Sequence, residues 1–184
     1  MHAGKSIRLP KIGMRNIKTS VTTALCALIY FLFGRSPAFA CIGVIFGFGR
    51  DWEDSYKNGG NRLYGTLIGG LLSIAMFRLY LVFVPDGRHT PLLALFILVG
   101  TVLLIWICNI FWVGGVQPGG VVLCIVMFNT PVSSYVSYSM NRIFDTAMGV
   151  LLAWAVSWLI PRDCKKVWRE RIDRWKGNGV SKQA

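Results

Sequence analysis

Two copies of one short polar string contain the residues that could carry chemistry in this chain. Each copy has an Asn-Arg pair, a Thr four residues after the Arg and a Gly three residues after the Thr. The strings begin at Asn61 and Asn141. A guanidinium group suits carboxylate recognition, and the free N–H groups at a helix start also attract anions. The strings therefore predict an anion site with these substrate-binding residues: Arg62, Thr66, Arg142 and Thr146.

Asp145 adds a carboxylate to the second string. It follows Arg142 by three residues, so a helix would place both on one face. The carboxylate could pair with the guanidinium and neutralise it. It could instead serve proton coupling, because a buried acid beside an Arg takes up a proton when its partner is displaced. Arg62 and Arg142 also have an alternative role, since Arg side chains near helix ends reach lipid headgroups.

The other reactive residue types show no pattern typical of catalysis or metal binding. The five Cys form no CxxC pair, and the two histidines, His2 and His89, lie in a terminus and a loop. No acid, base and nucleophile gather on one predicted face. The sequence therefore predicts that the protein is not an enzyme and uses no cofactor or metal. A lipid-modifying enzyme ranks last among the alternatives.

Composition indicates that the two strings lie in a membrane protein. Hydrophobic residues make up 54% of the 184 positions, charged residues only 15%, and the mean hydropathy is +0.52. Residues 90–141 contain no Lys, Arg, Asp or Glu, a stretch long enough for two bilayer crossings. The net charge of +12 comes mainly from both chain ends and one loop, where lipid headgroups explain it without nucleic acid. The predicted partner is the lipid bilayer.

Six apolar segments predict an all-α, polytopic membrane domain with six transmembrane segments over residues 17–160. The second segment, 37–48, would span only about 18 Å as a helix, against a hydrocarbon core of about 30 Å. The fifth segment, 118–128, is similarly short. Three residues mark these two segments as short or broken: Pro37, Pro118 and Gly119.

Polar residues flank and connect the segments. Residues 1–16 form a basic N-terminus that, with the first apolar segment, also resembles a secretory signal, but five further segments favour a first crossing. Residues 50–62 and 129–140 are interpreted as loops. The basic tail, 161–184, suits either a solvated end or a helix lying on the membrane surface. Its narrow apolar stripe consists of Trp168, Ile172 and Trp175.

The distribution of positive charge predicts the orientation. Six crossings place both termini on one side, and 16 Lys and Arg residues fall on that side, against three on the other. The positive-inside rule then makes both termini cytoplasmic, in the plasma membrane. This count places Arg62 and Arg142 at opposite faces of the membrane. They are interpreted as the two ends of one anion path.

The two halves of the chain, about 17–84 and 91–160, correspond to each other. A shift of 80 residues lays the first Asn-Arg-x3-Thr string on the second, and a shift of 81 lays Pro37 on Pro118. Three crossings in each half is an odd number, so the copies must insert in opposite directions. The pattern predicts an inverted 3+3 repeat, a plan common among transporters, with the permeation site beside the short segments.

Three longer motifs open the first, third and sixth segments. They are Gly13-Met14-Arg15-Asn16-Ile17-Lys18-Thr19, Asn61-Arg62-x2-Gly65-Thr66-x2-Gly69-Gly70 and Asn141-Arg142-Ile143-x-Asp145-Thr146-x2-Gly149. In this order they resemble the aromatic acid exporter and fusaric acid resistance-like superfamily, over about residues 11–161. The resemblance implies export or conduction of organic anions by a homodimer. Many relatives carry a large soluble domain after the sixth span, and this chain differs from them there.

Small and aromatic residues in the segments each have two interpretations. The small residues of the strings favour close helix packing over a direct role in transport, and they are Thr66, Gly69, Gly70, Thr146 and Gly149. The aromatic residues suit an interfacial belt or the lining of an aromatic substrate's path, and they are Trp52, Trp106, Trp112, Tyr135 and Tyr138.

The leading hypothesis is a transporter or channel that exports organic, including aromatic, carboxylates from the cytoplasm. The alternative is a non-transporting scaffold or accessory subunit whose Arg residues hold anionic lipid headgroups.

Overall fold

A computed structural model describes residues 14–159, and in this range the chain forms six α-helices, one short 3-10 turn and no strand. The predicted basic start up to residue 13 and the predicted tail helix lie outside the described residues. The helices are α1 (Met14–Leu32), α2 (Ala38–Gly47), α3 (Trp52–Phe83), α4 (Pro91–Phe111), α5 (Val116–Asn129) and α6 (Tyr135–Leu159), with the 3-10 turn at Val113–Gly115.

Helix lengths agree with the predicted difference between long and short segments. Among the described residues, α3, α4 and α6 are long and apolar enough to cross a bilayer. The second and fifth helices are the shortest, with 10 and 14 residues. At about 1.5 Å per residue, neither reaches across a hydrocarbon core of about 30 Å. The prediction that these two segments are short is confirmed.

Two predicted loops are instead helical, which corrects the sequence analysis. α3 begins at Trp52 and covers most of 50–62, while α6 begins at Tyr135, inside 129–140. Glu53 in the first turn of α3 suits the positive end of the helix dipole. Each of these helices therefore begins with a polar stretch, and its apolar run starts several residues later.

Helices α3 and α6 form the central pair, and they run antiparallel. Near the start of α3, the Ser55 carbonyl accepts a hydrogen bond from the Trp154 indole N–H, near the end of α6, at 3.0 Å. Farther along α3, the hydroxyl of Ser73 lies 3.4 Å from that of Ser139, near the start of α6. As residue numbers increase along α3, the residue numbers of the contacting positions on α6 decrease.

Thr66 and Thr146 lie about midway between these two contacts, at similar levels along the helix pair. Both are buried, with exposed fractions of 1% and 2%. Arg62 and Arg142 precede them by one helical turn each, so their levels along the pair differ by eight residues, or about 12 Å. Neither Arg lies at a helix start, because α3 begins ten residues earlier and α6 seven residues earlier. The expectation that free N–H groups at a helix start would help these Arg residues bind an anion is wrong.

Helices α2 and α6 pack closely and run parallel. A side chain at Gly149 would overlap the backbone of Ala40, and one at Gly43 would lie 2.9 Å from the carbonyl oxygen of Thr146. One turn farther, Gly47 faces Ala153. Such backbone approaches need small residues, as in other membrane helix pairs.

Helices α3 and α5 pack in the corresponding way, also parallel. Gly65 lies against Gly115 and Pro118, and Gly69 lies against Gly119. A side chain at Gly70, on the face toward α6, would lie 2.9 Å from Ile143. The packing role predicted for the glycines of the two strings is therefore confirmed.

Candidate functional site

A cleft of about 340 Å³ opens between the start of α2 and the first turns of α6. Its lining residues are Arg35, Ser36, Phe39, Tyr138, Asn141, Arg142 and Asp145. The first two belong to the connection between α1 and α2, and Phe39 lies in the first turn of α2. The four from α6 follow at intervals of three, one and three residues, which places them on one helical face.

Arg142 is the most buried cation of the cleft. Its side chain is 3% exposed, and its guanidinium carbon lies 3.4 Å from the ring centroid of Phe39 and 5.7 Å from that of Tyr138. Its Nε has no hydrogen-bond partner. The two rings stabilise the cation by cation–π contact, but a ring face is not a conventional hydrogen-bond acceptor for its N–H groups. A buried guanidinium with an unpartnered donor is suited to a carboxylate that enters the cleft.

Asp145 is held by Arg35, which corrects the expected pairing with Arg142. Arg35 Nη2 lies 3.0 Å from Asp145 Oδ1 and 3.2 Å from Asn141 Oδ1. The hydroxyl of Tyr30, from α1, donates to the same Asp145 oxygen at 3.1 Å. The partner of Asp145 therefore comes from the α1–α2 connection and not from its own helix.

Arg62 and Thr66 form a second group of unpartnered polar atoms on α3. Arg62 Nε and Thr66 Oγ1 are both buried without a hydrogen-bond partner, and their spacing places them on one face. The Arg62 guanidinium lies 5.3 Å from the ring centroid of Phe46 on α2. Phe46 follows Phe39 by two helical turns, so one face of α2 presents an aromatic ring to each of the two Arg residues.

The two groups are neighbours. Arg62 and Arg142 lie on the adjacent helices α3 and α6, at levels that differ by about 12 Å. Each lies one turn from the centre of the α3–α6 crossing, on opposite sides of it, and their placement at opposite faces of the membrane stays a prediction. Among the described residues, the buried side-chain atoms without a partner are Arg62 Nε, Thr66 Oγ1 and Arg142 Nε, all close to this crossing.

Asn61, next to Arg62, has a structural role. Its Oδ1 accepts a hydrogen bond from the indole N–H of Trp112 at 2.6 Å. The Trp112 ring also lies 4.9 Å from that of Tyr64, centroid to centroid. These contacts join α3 to the end of α4.

The remaining predicted site residues lie at three different places. Pro37 lies at the start of α2 and adjoins cleft residue Ser36. Pro118 and Gly119 pack against α3 and do not line the cleft. Thr146 is buried at the α2–α6 contact.

Sequence reasoning missed Arg35, Phe39 and Tyr30 as site residues. Arg35 carried a signal, because it is one of three positive charges on the side that the charge count predicts to be non-cytoplasmic, where positive charge is disfavoured. Tyr138 was one of the aromatic residues with an open role, and it lines the cleft. Within residues 14–159, no three His, Cys, Asp or Glu side chains cluster closely enough to hold a metal ion.

The geometry fits an anion that carries an aromatic ring. Two guanidinium groups and one carboxylate give the cleft a net positive charge, and Phe39 and Tyr138 meet edge to face at 6.3 Å between centroids. A carboxylate can approach Arg142 while an attached ring lies against these side chains.

Comparison with known proteins agrees with the resemblance drawn from the motifs. Residues 10–160 match the family model described as aromatic acid exporter family member 1. The matched region includes all six helices, the cleft and both Asn-Arg strings. No curated protein and no solved structure matches the chain. The family match covers most of the sequence, and the chain therefore belongs to the aromatic acid exporter family.

Proposed function

We propose that this protein carries aromatic monocarboxylates across the membrane and that the cleft binds their carboxylate group. The observation that carries the proposal is Arg142, a buried guanidinium in contact with two aromatic rings and with an unpartnered Nε. Keeping such a cation in a membrane protein costs free energy, so its position points to a function. Membership of the exporter family supports transport rather than catalysis.

The size and charge of the cleft support a single-ring acid. A volume of about 340 Å³ is at the lower end of the range for small-molecule sites. One negative charge on the substrate balances the net charge of Arg35, Arg142 and Asp145. A flat ring of one acid can contact Phe39 and Tyr138 without displacing either helix.

Arg62 and Thr66 supply a second position for the same anion. The level of Arg62 lies about 12 Å from that of Arg142 along the α3–α6 pair, and Thr66 lies between the two levels. Phe39 lies against Arg142 and Phe46 against Arg62, on one face of α2. We infer that the anion passes between Arg62 and Arg142 along this face of α2, beside the short helix.

The packing directions support six crossings and an inverted repeat. Six alternating crossings require α2 to be parallel to α6, α3 to be parallel to α5, and α3 to be antiparallel to α6, and the close contacts have these directions. A two-fold axis through the level of Thr66 and Thr146 would relate α2–α6 to α5–α3. With the charge bias of the loops, this arrangement favours cytoplasmic termini. Export from the cytoplasm by a homodimer in the plasma membrane is the part of the proposal that the resemblance of the sequence motifs to the exporter family implies.

Flux into and out of proteoliposomes tests the proposal. Purified protein is reconstituted, and uptake of radiolabelled benzoate is compared with that of cyclohexanecarboxylate at about pH 8, where both acids are ionised. We expect benzoate flux above that of protein-free liposomes and a smaller flux of the saturated acid. Arg142→Met should abolish this flux, while Arg78→Met, which removes an exposed Arg from the same membrane domain, should retain it.

The scaffold and headgroup-binding alternatives give different results. A wild-type protein without flux of any aromatic acid, in either orientation, would contradict the transport proposal. Equal benzoate flux in wild type and Arg142→Met would contradict the assignment of the cleft. If Arg142 instead holds lipid headgroups in a non-transporting protein, benzoate flux should equal that of protein-free liposomes, and Arg142→Met should weaken binding of anionic lipid.

A further inference from the structure

The cleft has three charged side chains, and two of them are paired with each other. Among the described residues that line it, the charged ones are Arg35, Arg142 and Asp145. Arg35 Nη2 donates to Asp145 Oδ1 at 3.0 Å. The Arg142 guanidinium lies against two aromatic rings instead, and its Nε has no hydrogen-bond partner. An entering anion therefore meets one guanidinium, that of Arg142, that Asp145 does not engage.

Three parts of the protein hold Asp145 on Arg35. The Tyr30 hydroxyl, from α1, donates to the same Asp145 oxygen at 3.1 Å. Arg35 Nη2, from the α1–α2 connection, also lies 3.2 Å from Asn141 Oδ1, on α6. The Asp145 side chain is 8% exposed, whereas that of Arg35 is 43% exposed. The acid is therefore fixed inside the protein, on a cation that a substrate group at the opening of the cleft would otherwise reach.

We propose that Asp145 is a specificity-determining residue: by occupying Arg35 it leaves one cation, Arg142, to the substrate and restricts the cleft to monocarboxylates. The inference rests on the proposed function, because it needs the cleft to bind a carboxylate. One substrate carboxylate and Asp145 together balance Arg35 and Arg142. A second substrate carboxylate would add a negative charge without a partner, which is costly in a partly buried site. Asp145 thus acts against dianions, as specificity often requires.

Arg62 does not supply the missing cation to a small dicarboxylate. Its level along the α3–α6 pair differs from that of Arg142 by about 12 Å. The two carboxylates of benzene-1,2-dicarboxylate stand on neighbouring ring carbons, so they cannot reach both levels at once. The charge preference therefore belongs to the cleft around Arg142.

Three ligands separate the effect of charge from that of size. At about pH 8, benzoate and 2-carbamoylbenzoate carry one negative charge, and benzene-1,2-dicarboxylate carries two. The carbamoyl compound and the dicarboxylate have nearly the same shape. Calorimetric titration of the purified protein in nanodiscs gives Kd for each ligand. For wild type we expect the dicarboxylate to bind at least about tenfold more weakly than 2-carbamoylbenzoate.

Asp145→Asn frees Arg35 and keeps a side-chain oxygen for the Tyr30 hydroxyl. The second carboxylate then has a guanidinium to bind, so the dicarboxylate should bind at least as tightly as 2-carbamoylbenzoate. The matched control is Asp86→Asn, which makes the same change in the exposed ion pair with Arg88 at 3.4 Å and should keep the wild-type ratio of the two Kd values. Adding Arg35→Gln to Asp145→Asn removes the freed cation, and the preference for 2-carbamoylbenzoate should return.

Ser36→Lys provides a second variant that keeps the ion pair of Arg35 with Asp145. Ser36 is exposed and lines the cleft, so the new cation should cost the fold little. It offers the second carboxylate a partner, and the ratio of the two Kd values should fall toward one. This variant decides the question if Asp145→Asn does not fold.

A Kd ratio near one in wild type would overturn the inference. So would a wild-type ratio in folded Asp145→Asn, or in Ser36→Lys where Asp145→Asn does not fold. Tight dicarboxylate binding by the double variant would show that Arg35 is not the cation involved, and failure of 2-carbamoylbenzoate to bind wild type would show exclusion by size; either result overturns the inference. All of these outcomes leave the benzoate site in place. Absence of benzoate binding in wild type would contradict the proposed function, and the inference with it.

Discussion

Replacing Arg142 by Met should remove binding without unfolding the protein. The side chain is 3% exposed, and its Nε has no partner. Burying an unsatisfied polar atom costs about 1–3 kcal/mol, and this cost disappears in the variant. The lost cation–π contact with Phe39, at 3.4 Å, is worth about 2 kcal/mol when desolvated. The two effects nearly cancel, because Met keeps much of the apolar stem volume.

The expected change in the free energy of unfolding is therefore within about 1 kcal/mol of zero. A buried cation whose carboxylate partner formed part of the fold would behave otherwise, since breaking such a pair costs about 3–5 kcal/mol. Asp145, the carboxylate in the same cleft, is already paired with Arg35. Loss of Arg142 consequently leaves no buried anion without its partner.

Thermal unfolding with and without benzoate measures stability and binding together. At a benzoate concentration of 100 times Kd, binding to the native state adds about 2.7 kcal/mol of stability. Wild type and Arg78→Met should both show the corresponding rise in Tm, and Arg142→Met should show none. A Tm for Arg142→Met far below wild type, together with normal benzoate stabilisation, would refute the reasoning, because Arg142 would then hold the fold and not the ligand.

Three further predictions concern packing, selectivity and the Trp112 contact. Gly149→Ala should strongly destabilise the protein, because its side chain would overlap the α2 backbone. Gly120→Ala should not, because its side chain would meet only one atom, at 3.9 Å. Thermal melts in detergent compare the Tm of the two variants. Phe39→Leu should lower benzoate flux more than cyclohexanecarboxylate flux, because the ring contact is lost. Asn61→Ala should cost about 1–3 kcal/mol, because Trp112 loses its acceptor, and a red-shifted Trp emission should accompany it.

Much of the helical framework could be predicted from the sequence. Apolar runs located the helices, and the 10 and 14 residues of α2 and α5 agree with the short second and fifth segments. Helix starts could not be located in this way. Residues such as Ser55 and Ser139 are polar yet buried against a neighbouring helix, so local polarity misplaced the beginnings of α3 and α6. Tertiary contact, and not hydropathy, decides those boundaries.

Only part of the candidate site could be predicted from the sequence. Arg142 could be predicted because a charge inside an apolar run is costly. The partner of Asp145 could not, because Arg35 lies 110 residues away, and helical spacing points to Arg142 instead. Spacing within one helix identifies which residues share a face but not which other element that face meets. The closeness of Arg62 and Arg142 likewise depends on the register of the α3–α6 pair.

The two Asn-Arg strings lie in similar helix-packing environments but carry different side chains three residues after the Arg. Gly65 corresponds to Asp145, and its backbone lies directly against Gly115 and Pro118, so α5 leaves no space for a carboxylate. At the other string, the α1–α2 connection leaves a cleft of about 340 Å³ beside the acid. The first string therefore offers an Arg without a carboxylate at the corresponding position.

This difference between the two strings predicts different effects of replacing each of the two Arg residues. Arg62→Met should retain the benzoate-dependent rise in Tm, because the cleft around Arg142 is intact, but its benzoate flux should fall by roughly tenfold or more, corresponding to about 1.4 kcal/mol or more on passage. Arg142→Met should lose both the rise and the flux. If Arg62→Met also loses the rise in Tm, the two Arg residues bind one anion together at the α3–α6 crossing, and the two-position path is wrong.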